Sequence, residues 1–334
     1  MTARIFIDGA AGTTGLEIRE RLAGRGEFLL IQLSDAQRKD PAARAAALNE
    51  AEIVILCLPD EAARDAVALI ENPAVRVIDA SSAHRVAPGW VYGLPELEPG
   101  QRARIAAAAR VSNPGCWPTG FLALVNPLRR AAILPPDFAL SVTGVSGYSG
   151  GGKSMIEEFE AKESPRHVDT MVRTYGLTLS HKHTPEMRVH AGLAHAPIFS
   201  PYVGRFYRGM IVEVPLQLWA LPGKPTVIDI YMVLADAYRG EKLIEIADLD
   251  QVDFYRTRRN ATPGQAPPAI AMTQSIDAEM LKLTNGMKLF ILGNDKTQQA
   301  RLIAVLDNLG KGAAGAAVQN LNLMLGLPET TGLV

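Results

Sequence analysis

The segment around Cys116 could present a reactive thiolate to a substrate. It follows an apolar strand that ends near Val111 and reads Ser112-Asn113-Pro114-Gly115-Cys116-Trp117-Pro118-Thr119-Gly120. Pro114 and Gly115 favour a tight turn, and helical residues follow from Phe121. Cys116 is therefore predicted at a helix N-terminus, where unpaired N–H groups and the helix dipole lower a thiol's pKa. The other interpretation is a small buried thiol, because free cysteine is commonly a core residue.

A second segment could manage protons for that thiol. It reads His181-Lys182-His183-Thr184-Pro185-Glu186. At strand spacing His181 and His183 point to one face, and Glu186 is near enough to orient an imidazole. One interpretation is acid–base catalysis, in which a histidine takes the Cys116 proton and later protonates an oxyanion. The same residues could form a catalytic zinc triad, or the histidines could be polar residues on an exposed strand.

The first strand is followed by a glycine-rich turn that opens a helix. The turn reads Gly9-Ala10-Ala11-Gly12-Thr13-Thr14-Gly15. Glycine lets the backbone approach a pyrophosphate, and the helix start supplies N–H donors, so this turn predicts a dinucleotide site. Asp35 could hold a ribose hydroxyl and favour NAD. Ser34, Arg38 and Lys39 could instead hold a 2′-phosphate, and we favour NADP.

A glycine segment in the second half of the chain fits the pattern of a nucleotide-binding P-loop, which would make the protein a P-loop nucleotide hydrolase. It reads Gly147-Tyr148-Ser149-Gly150-Gly151-Gly152-Lys153-Ser154, between a predicted strand and a predicted helix. A P-loop normally follows the first strand of its own sheet, and a glycine turn already occupies that place here. The alternative is a nest of N–H groups with Lys153 that binds the phosphate of a substrate.

Composition excludes several classes of function. The chain has 334 residues, a formal net charge of −1 and two cysteines. That charge balance gives no reason to expect nucleic acid as a partner. Two cysteines do not make a disulfide framework, and the chain opens directly into a strand without a signal segment, so a cytoplasmic protein is expected. No run of about 20 apolar residues predicts a membrane span.

The apolar pattern predicts an α/β protein. Strands are expected at 5–7, 28–33, 53–58 and 75–79, with helices at 15–22, 41–49 and 61–70 between them. This alternation predicts a Rossmann-like, doubly wound parallel sheet. After Cys116 the pattern becomes α+β, with strands expected at 139–145, 177–180, 209–216 and 226–234 and a surface loop at 263–268. Residues 308–325 predict a helix rich in small residues that returns to the first domain.

The domain organisation follows from this change of pattern. We expect residues 1–116 and 309–334 to form an NADP-binding domain. Residues 117–308 are expected to form an α+β domain for catalysis and oligomerisation.

At this point the chain resembles the N-acetyl-γ-glutamyl-phosphate reductase family of arginine biosynthesis, in its shorter form, within the semialdehyde dehydrogenase superfamily. The resemblance covers nearly the whole chain. It is carried by Asn113-Pro114-Gly115-Cys116, Ser146-Gly147, His181-x-His183-Thr184-Pro185-Glu186, Tyr92-Gly93-Leu94-Pro95-Glu96-Leu97 and Asn308-Leu309-x-Lys311-Gly312-Ala313-Ala314-Gly315. It implies a glyceraldehyde-phosphate-dehydrogenase-like fold, a dimer or tetramer, and reduction of an acyl phosphate with NADP(H) through a cysteine thioester.

The resemblance also implies roles for particular residues. Cys116 would be the nucleophile, with His181 as the acid–base group and His183 and Glu186 in support. The residues expected at the cofactor are Gly9, Gly12, Thr13, Thr14, Gly15, Ser34, Arg38 and Asn308. The substrate and its phosphate would be held by Asn113, Ser146, Gly147 and Arg208, without a metal. Relatives that act on aspartyl or aminoadipyl phosphates share this chemistry, so the acyl phosphate itself stays open.

Overall fold

The computed structural model describes residues 2–248 and 275–333. Six parallel strands form the first sheet in the order β2-β1-β3-β4-β6-β5. They are β1 (Ala3–Asp8), β2 (Phe28–Ile31), β3 (Ile53–Leu56), β4 (Arg76–Asp79), β5 (Val91–Tyr92) and β6 (Arg110–Ser112). Strand β2 is added on one side of β1 and β3 on the other, so the order of the strands reverses between β1 and β3. This switch opens a crevice at the carboxyl ends of these two strands.

Helices connect the strands of this sheet. They are α1 (Thr13–Leu22), α2 (Pro41–Glu50), α3 (Asp60–Ala68) and α4 (Gln101–Ala107). Strand β3 is buried at all four positions because helices cover both faces of the sheet. Asp40 caps α2 by accepting a hydrogen bond from the backbone N–H of Ala42.

The second sheet has seven described strands and is mixed. Its order is β11-β12-β13-β10-β7-β9-β8, with parallel pairing at β7–β9 and β11–β12. The strands are β7 (Ser141–Gly147), β8 (Val172–Thr174), β9 (Ile198–Gly204), β10 (Met210–Gln217), β11 (Ile244–Ile246), β12 (Met287–Asn294) and β13 (Gln299–Leu306). Helices α5 (Cys116–Arg130) and α8 (Val227–Ala237) pack against it, whereas α6 (Gly152–Glu160) and α7 (Thr184–His190) flank the site.

The end of the chain returns to the first sheet. A π-helical turn (Gly310–Ala314) leads into α9 (Gly315–Met324), which packs against α1 and α4. Ala317, Val318 and Leu321 lie in one apolar core with Ile5 and Ile55. Small side chains allow this close approach, so a segment distant in sequence completes the first core.

Two predicted strands of the second half are wrong. The stretch 226–234 is helix α8, which begins with a capping box between Thr226 and Asp229. The stretch 177–180 is a turn, because Gly176 and Leu179 adopt left-handed backbone angles of 66° and 58°. The loop predicted at 263–268 lies outside the described residues.

The predicted fold class is confirmed by the parallel doubly wound sheet and the mixed sheet beside it. The domain boundaries near residues 116 and 308 stay a prediction.

Candidate active site

A cavity of about 340 Å³ lies between the two sheets and collects most of the predicted catalytic residues. Its floor is the start of α5, and one wall is the histidine turn before α7. The predicted site residues that line it are Thr13, Thr14, Asn113, Cys116, Ser146, Gly147, His181, His183 and Asn308. Five segments widely separated in sequence therefore meet at one opening.

Cys116 is the first residue of α5, as its motif predicts. Gly115 precedes the helix in an extended conformation, and its carbonyl accepts hydrogen bonds from the N–H and hydroxyl of Thr119. Burial raises the pKa of the Cys116 thiol to about 11, although Arg85 and the N–H of Trp117 act to lower it. The helix start alone does not produce a thiolate here, because burial and the nearby carboxylate of Glu186 outweigh it.

Glu186 holds the turn that carries Cys116. Its Oε2 accepts hydrogen bonds from the backbone N–H of Gly115 at 3.2 Å and from the Tyr92 hydroxyl at 2.9 Å. Its Oε1 accepts from Nη1 of Arg85 at 2.8 Å, in a buried ion pair. Arg85 also donates to the carbonyl oxygen of Asn113. Glu186 was expected to orient an imidazole, but the structure gives its oxygens these partners instead.

The two histidines lie in a turn and not on a strand. Nδ1 of His181 accepts a hydrogen bond from the backbone N–H of His183, which assigns the proton of a neutral His181 ring to Nε2. Burial, with help from Lys182 and Arg85, lowers the pKa of His181 to about 4. Burial also lowers the pKa of His183 well below its ordinary value. Both rings are therefore neutral at pH 7.

A zinc triad does not form from these residues. The carboxylate of Glu186 is occupied by Arg85, Tyr92 and Gly115. Within residues 2–248 and 275–333, no group of three or more histidine, cysteine, aspartate or glutamate side chains is placed to hold a metal ion.

A glycine is required at position 115, because three side chains pack closely around the turn that carries Cys116. A Cβ on this residue would lie 2.6 Å from Nη1 of Arg85, 2.7 Å from Nε2 of His183 and 2.8 Å from Oε1 of Glu186. Any side chain here would push these groups apart. The absence of a side chain thus lets Nε2 of His183 lie close to the residue that precedes Cys116.

Asn113 ties the cysteine turn to the end of the chain. Its Nδ2 donates to the carbonyl oxygen of Ala313, and its Oδ1 accepts from Nδ2 of Asn320. Asn320 also donates to the carbonyl oxygen of Gly93. Asn113 lines the cavity, but both ends of its amide are already occupied by these contacts.

The glycine segment after β7 forms a second wall. Ser146 and Gly147 line the cavity, and Asn308 joins that wall by donating to Oγ of Ser149 and accepting from the N–H of Gly209. The predicted strand and helix are present, but they do not form a nucleotide P-loop. The strand lies inside a mixed sheet and leads into a short 3₁₀ turn.

The lysine and the serine of the P-loop pattern also lie away from the Cys116 cavity. Lys153 and Ser154 are exposed, and the Ser154 hydroxyl accepts a hydrogen bond from Arg166 at 2.7 Å. Neither residue lines the cavity. The nucleotide-hydrolase alternative is therefore wrong, and the glycines serve the Cys116 cavity instead.

Arg208 is not placed as predicted. The side chain is buried, and its guanidinium lies 3.0 Å from Glu17 and 3.3 Å from Asp307. It does not line the cavity, so it is not available to a substrate carboxylate. Because Glu17 belongs to α1 and Asp307 follows β13, Arg208 links the two sheets.

A second cavity of about 320 Å³ lies beside the first glycine turn. Gly9 lines it and turns the backbone with a φ of 85°, which side chains disfavour. Gly12 precedes α1, and its N–H donates to the carbonyl of Gly9. Thr13 and Thr14 begin α1 and face the Cys116 cavity. The turn thus separates two cavities that an extended dinucleotide could occupy together.

Three arginines line the second cavity, namely Arg19, Arg38 and Arg44. Arg44 donates to Asp8 at 2.7 Å, and Arg38 lies 3.2 Å from the exposed carboxylate of Asp35. Asp35 itself does not line this cavity. The predicted Ser34 is exposed and outside the lining, where its hydroxyl accepts from the N–H of Gln37. Arg19 forms no ion pair with the described residues, so this cavity keeps positive charge that suits a phosphate group.

Several functional candidates were missed by sequence reasoning. Arg85 has no motif of its own, and it becomes visible only when it pairs with Glu186, 101 residues away. Tyr92 lies in a quoted motif, but its hydroxyl had no predicted partner. Arg19 and Arg44 occupy ordinary helical positions, one turn after a glycine loop and early in α2. Helical spacing from the glycine turn was an available signal for Arg19, and Arg44 carries no such signal.

Within the described part of the chain, no helix is both long enough and apolar enough to cross a membrane.

Comparison with known families defines the class of protein. Residues 4–105 match the model of the semialdehyde dehydrogenase NAD binding domain, and residues 116–308 match that of the semialdehyde dehydrogenase dimerisation domain. The chain therefore belongs to the semialdehyde dehydrogenase family.

The curated relatives of the chain indicate a particular enzyme within that family. A protein of Brucella anthropi is 50% identical over 327 residues, covering 98% of this chain and 99% of its own. A protein of Nostoc sp. is 48% identical over 333 residues, covering 99% of both chains. They are named N-acetyl-gamma-glutamyl-phosphate reductase and N-acetyl-gamma-glutamyl-phosphate reductase 2, respectively. The resemblance inferred from the motifs is thereby confirmed.

Solved structures share the fold at low sequence identity. Aspartate semialdehyde dehydrogenase II from Vibrio cholerae, complexed with ASA, superposes with a TM-score of 0.68 at 15% identity, covering 98% of this chain and 99% of that one. The Candida albicans aspartate semialdehyde dehydrogenase with NADP has a TM-score of 0.60 at 14% identity, covering 97% and 99%. At this identity the likeness concerns the fold alone.

Proposed function

We propose that this chain reduces N-acetyl-γ-glutamyl phosphate to N-acetylglutamate semialdehyde and phosphate with NADPH. The observation that carries the proposal is the single cavity in which Cys116, at the start of α5, meets His181 and the residues Thr13 and Thr14 of the dinucleotide turn. The full-length relatives of about half identity carry the same name, which supports the choice of substrate.

The cofactor fits the two cavities on either side of the glycine turn. Gly9 and the N-terminus of α1 would hold the pyrophosphate, and Arg19, Arg38 and Arg44 would hold the 2′-phosphate. Asn308 would border the nicotinamide end, next to Cys116. NADPH supplies the hydride of the reduction when bound.

Cys116 carries the acyl group between the two halves of the reaction. Its sulfur attacks the γ-carbonyl carbon, the C–O bond to phosphate breaks, and a thioester remains on the enzyme. The thiol proton passes to a histidine, for which we propose His181; the ring becomes an imidazolium, and its Nδ1 gives up the hydrogen bond that it accepts from the N–H of His183. The pKa of Cys116 is about 11 and that of His181 is about 4, so this proton transfer is unfavourable before substrate binds. The transfer therefore accompanies the attack on the carbonyl.

The second half of the reaction needs a proton at oxygen. Reduction of the thioester gives a thiohemiacetal oxyanion on Cys116, which collapses to the aldehyde and the free thiol after proton exchange. The imidazolium of His181 formed in the first half is the proposed donor, and it returns to the neutral ring whose Nδ1 accepts from the N–H of His183. Backbone N–H groups at the start of α5 would stabilise the oxyanion, a contribution of about 3–4 kcal/mol per donor in acyl transfer.

The phosphate leaves toward the wall formed by the glycine segment. Ser146 and Gly147 line that wall, and we assign them to the leaving phosphate. Asn113 positions the cysteine turn through Ala313 and Asn320. Glu186 positions the same turn through the N–H of Gly115.

The reverse reaction tests the proposal directly. Wild-type enzyme with N-acetylglutamate semialdehyde, phosphate and NADP⁺ should form NADPH, measured by absorbance, and omission of phosphate should stop it. Cys116→Ser should abolish turnover and retain NADP(H) binding. Near-normal activity of that variant would overturn the cysteine mechanism, whereas activity only with aspartyl- or aminoadipyl-type semialdehydes would change the substrate.

The choice of histidine has its own test. His181→Ala should lower the rate about 10²–10⁴-fold if this ring is the acid–base group. A small loss for His181→Ala together with a large loss for His183→Ala would move the role to His183.

We also propose a homo-oligomer and a cytoplasmic location. The match of residues 116–308 to a dimerisation domain supports self-association. Sedimentation of the purified chain would test it, and a monomer at micromolar concentration would contradict it.

A further inference from the structure

We propose that Lys182 binds an anionic group of the acyl-phosphate substrate, either its α-carboxylate or its phosphate, at the wall of the Cys116 cavity. The inference rests on the proposed function and adds the residue that recognises substrate charge.

Lys182 is placed for this role by the turn that carries both histidines. It lies between His181 and His183 and lines the same cavity as Cys116. Its side chain is exposed and forms no ion pair with any residue in the described ranges. An ammonium group in this position is open to an incoming anion.

The other positive charges near the cavity are already neutralised. Arg85 lines it but is held by the buried carboxylate of Glu186. Arg208, the residue expected to bind a carboxylate, pairs with Glu17 and Asp307 away from the lining. Of the described lining residues, Lys182 is therefore the cation left for the substrate.

The substrate carries more negative charge than the other wall can meet. An N-acylated glutamyl phosphate has a carboxylate at one end and a phosphate at the other. The wall formed by Ser146, Gly147 and 149–152 offers hydroxyl groups and no charged side chain, and the N–H groups of Gly147 and Ser149 already donate to the carbonyls of Gly209 and Tyr207. A cation on the opposite wall lets both ends bind, and it selects against uncharged aldehydes.

Lys182 also couples binding to chemistry. Its charge helps to lower the pKa of His181, after burial, and it helps to lower that of His183. Its charge also helps to lower the pKa of Asp60, whose carboxylate accepts from the hydroxyl and backbone N–H of Ser82. An anion that neutralises Lys182 removes part of the charge that opposes protonation of the histidines. Binding of the charged substrate thus makes the ring a better acceptor for the Cys116 proton.

Steady-state kinetics of the reverse reaction test this assignment. Lys182→Met, Lys182→Arg and Arg188→Met are compared with wild type, with N-acetylglutamate semialdehyde and phosphate varied separately. Arg188 is a matched control, because it is an exposed cation on α7 that does not line the cavity. Lys182→Met should raise one KM about tenfold or more, as expected for a lost hydrogen bond to a charged group, while Lys182→Arg stays within about threefold of wild type.

The KM that rises identifies the group bound. A rise for phosphate assigns the phosphate, and a rise for the semialdehyde assigns the carboxylate. Unchanged KM values in Lys182→Met, or an equal effect in Arg188→Met, would overturn the inference. An inactive wild-type enzyme would instead contradict the proposed function.

Discussion

The carboxylate of Glu186 accepts a hydrogen bond from the backbone N–H of Gly115, the residue directly before Cys116. The distance is 3.2 Å, and the two residues are 71 positions apart in sequence. The same carboxylate is paired with the buried guanidinium of Arg85. The conformation of the cysteine turn is therefore set by a charged group on α7 and not by its own sequence alone.

Removal of the Glu186 charge should weaken both the fold and the reaction. Glu186→Ala leaves Arg85 buried without its carboxylate, which should cost about 3–5 kcal/mol of unfolding free energy. Glu186→Gln keeps an oxygen for Gly115 and should cost less. It should also lower the pKa of Cys116, because the carboxylate acts to raise it. Urea unfolding and thiol alkylation at pH 8 measure the two effects.

Glu163→Gln is the control for that experiment, because Glu163 is exposed and forms no ion pair with the described residues. Equal stability of Glu186→Ala and Glu163→Gln would show that the buried pair does not support the fold.

The reactivity of Cys116 should depend steeply on pH in the absence of substrate. Burial raises the thiol pKa to about 11. Below that pH, the thiolate fraction therefore increases about tenfold for each unit by which the pH is raised. Alkylation by iodoacetamide should therefore rise about 100-fold from pH 7 to pH 9. The measurement is made in the Cys57→Ser variant, in which Cys116 is the remaining cysteine. Removal of Cys57 should change the rate little, since burial raises the pKa of Cys57 to about 12 and limits its reaction. A plateau near pH 7 would reveal a resting thiolate–imidazolium pair and contradict this expectation.

Gly312→Ala should damage the site from the side of the tail. A Cβ there would lie 2.7 Å from the Cβ of Cys116, so either the π-helical turn or the cysteine must shift. We expect a loss of about 1–3 kcal/mol in unfolding free energy and a fall in kcat of about tenfold or more. Gly26→Ala is the matched control, because no atom lies within 4 Å of its added Cβ. Unchanged kcat in Gly312→Ala would show that the contact has no influence on the nucleophile.

The arginines of the second cavity should select NADP over NAD. Arg38→Met removes a cation whose partner, Asp35, is exposed, so the fold should tolerate the change. The KM for NADP⁺ should rise about tenfold or more, as for a lost hydrogen bond to a charged group, while the KM for NAD⁺ stays the same. Arg64→Met, an exposed cation on α3 outside the cavity, is the comparison. Parallel increases for both cofactors would place Arg38 away from the 2′-phosphate.

The sequence by itself determined the turns, the helix starts and the class of the first sheet. The glycine turn after β1 and the turn that opens α5 at Cys116 were predicted, because glycine, proline and helix starts act within a few positions. The alternation of apolar runs also predicted the parallel sheet. Where local signals conflict, the prediction was wrong, as for the β-branched residues of 226–234 that form helix α8 behind a capping box.

Tertiary structure alone decided which side chains meet. Arg208 was assigned to substrate and pairs with Glu17, and the buried Lys311 of the tail binds Glu96, 215 residues away. Those partners depend on how the two sheets and the returning tail pack. A buried charge must find a partner to offset its desolvation, and that partner is supplied by whichever element packs beside it and not by sequence neighbours.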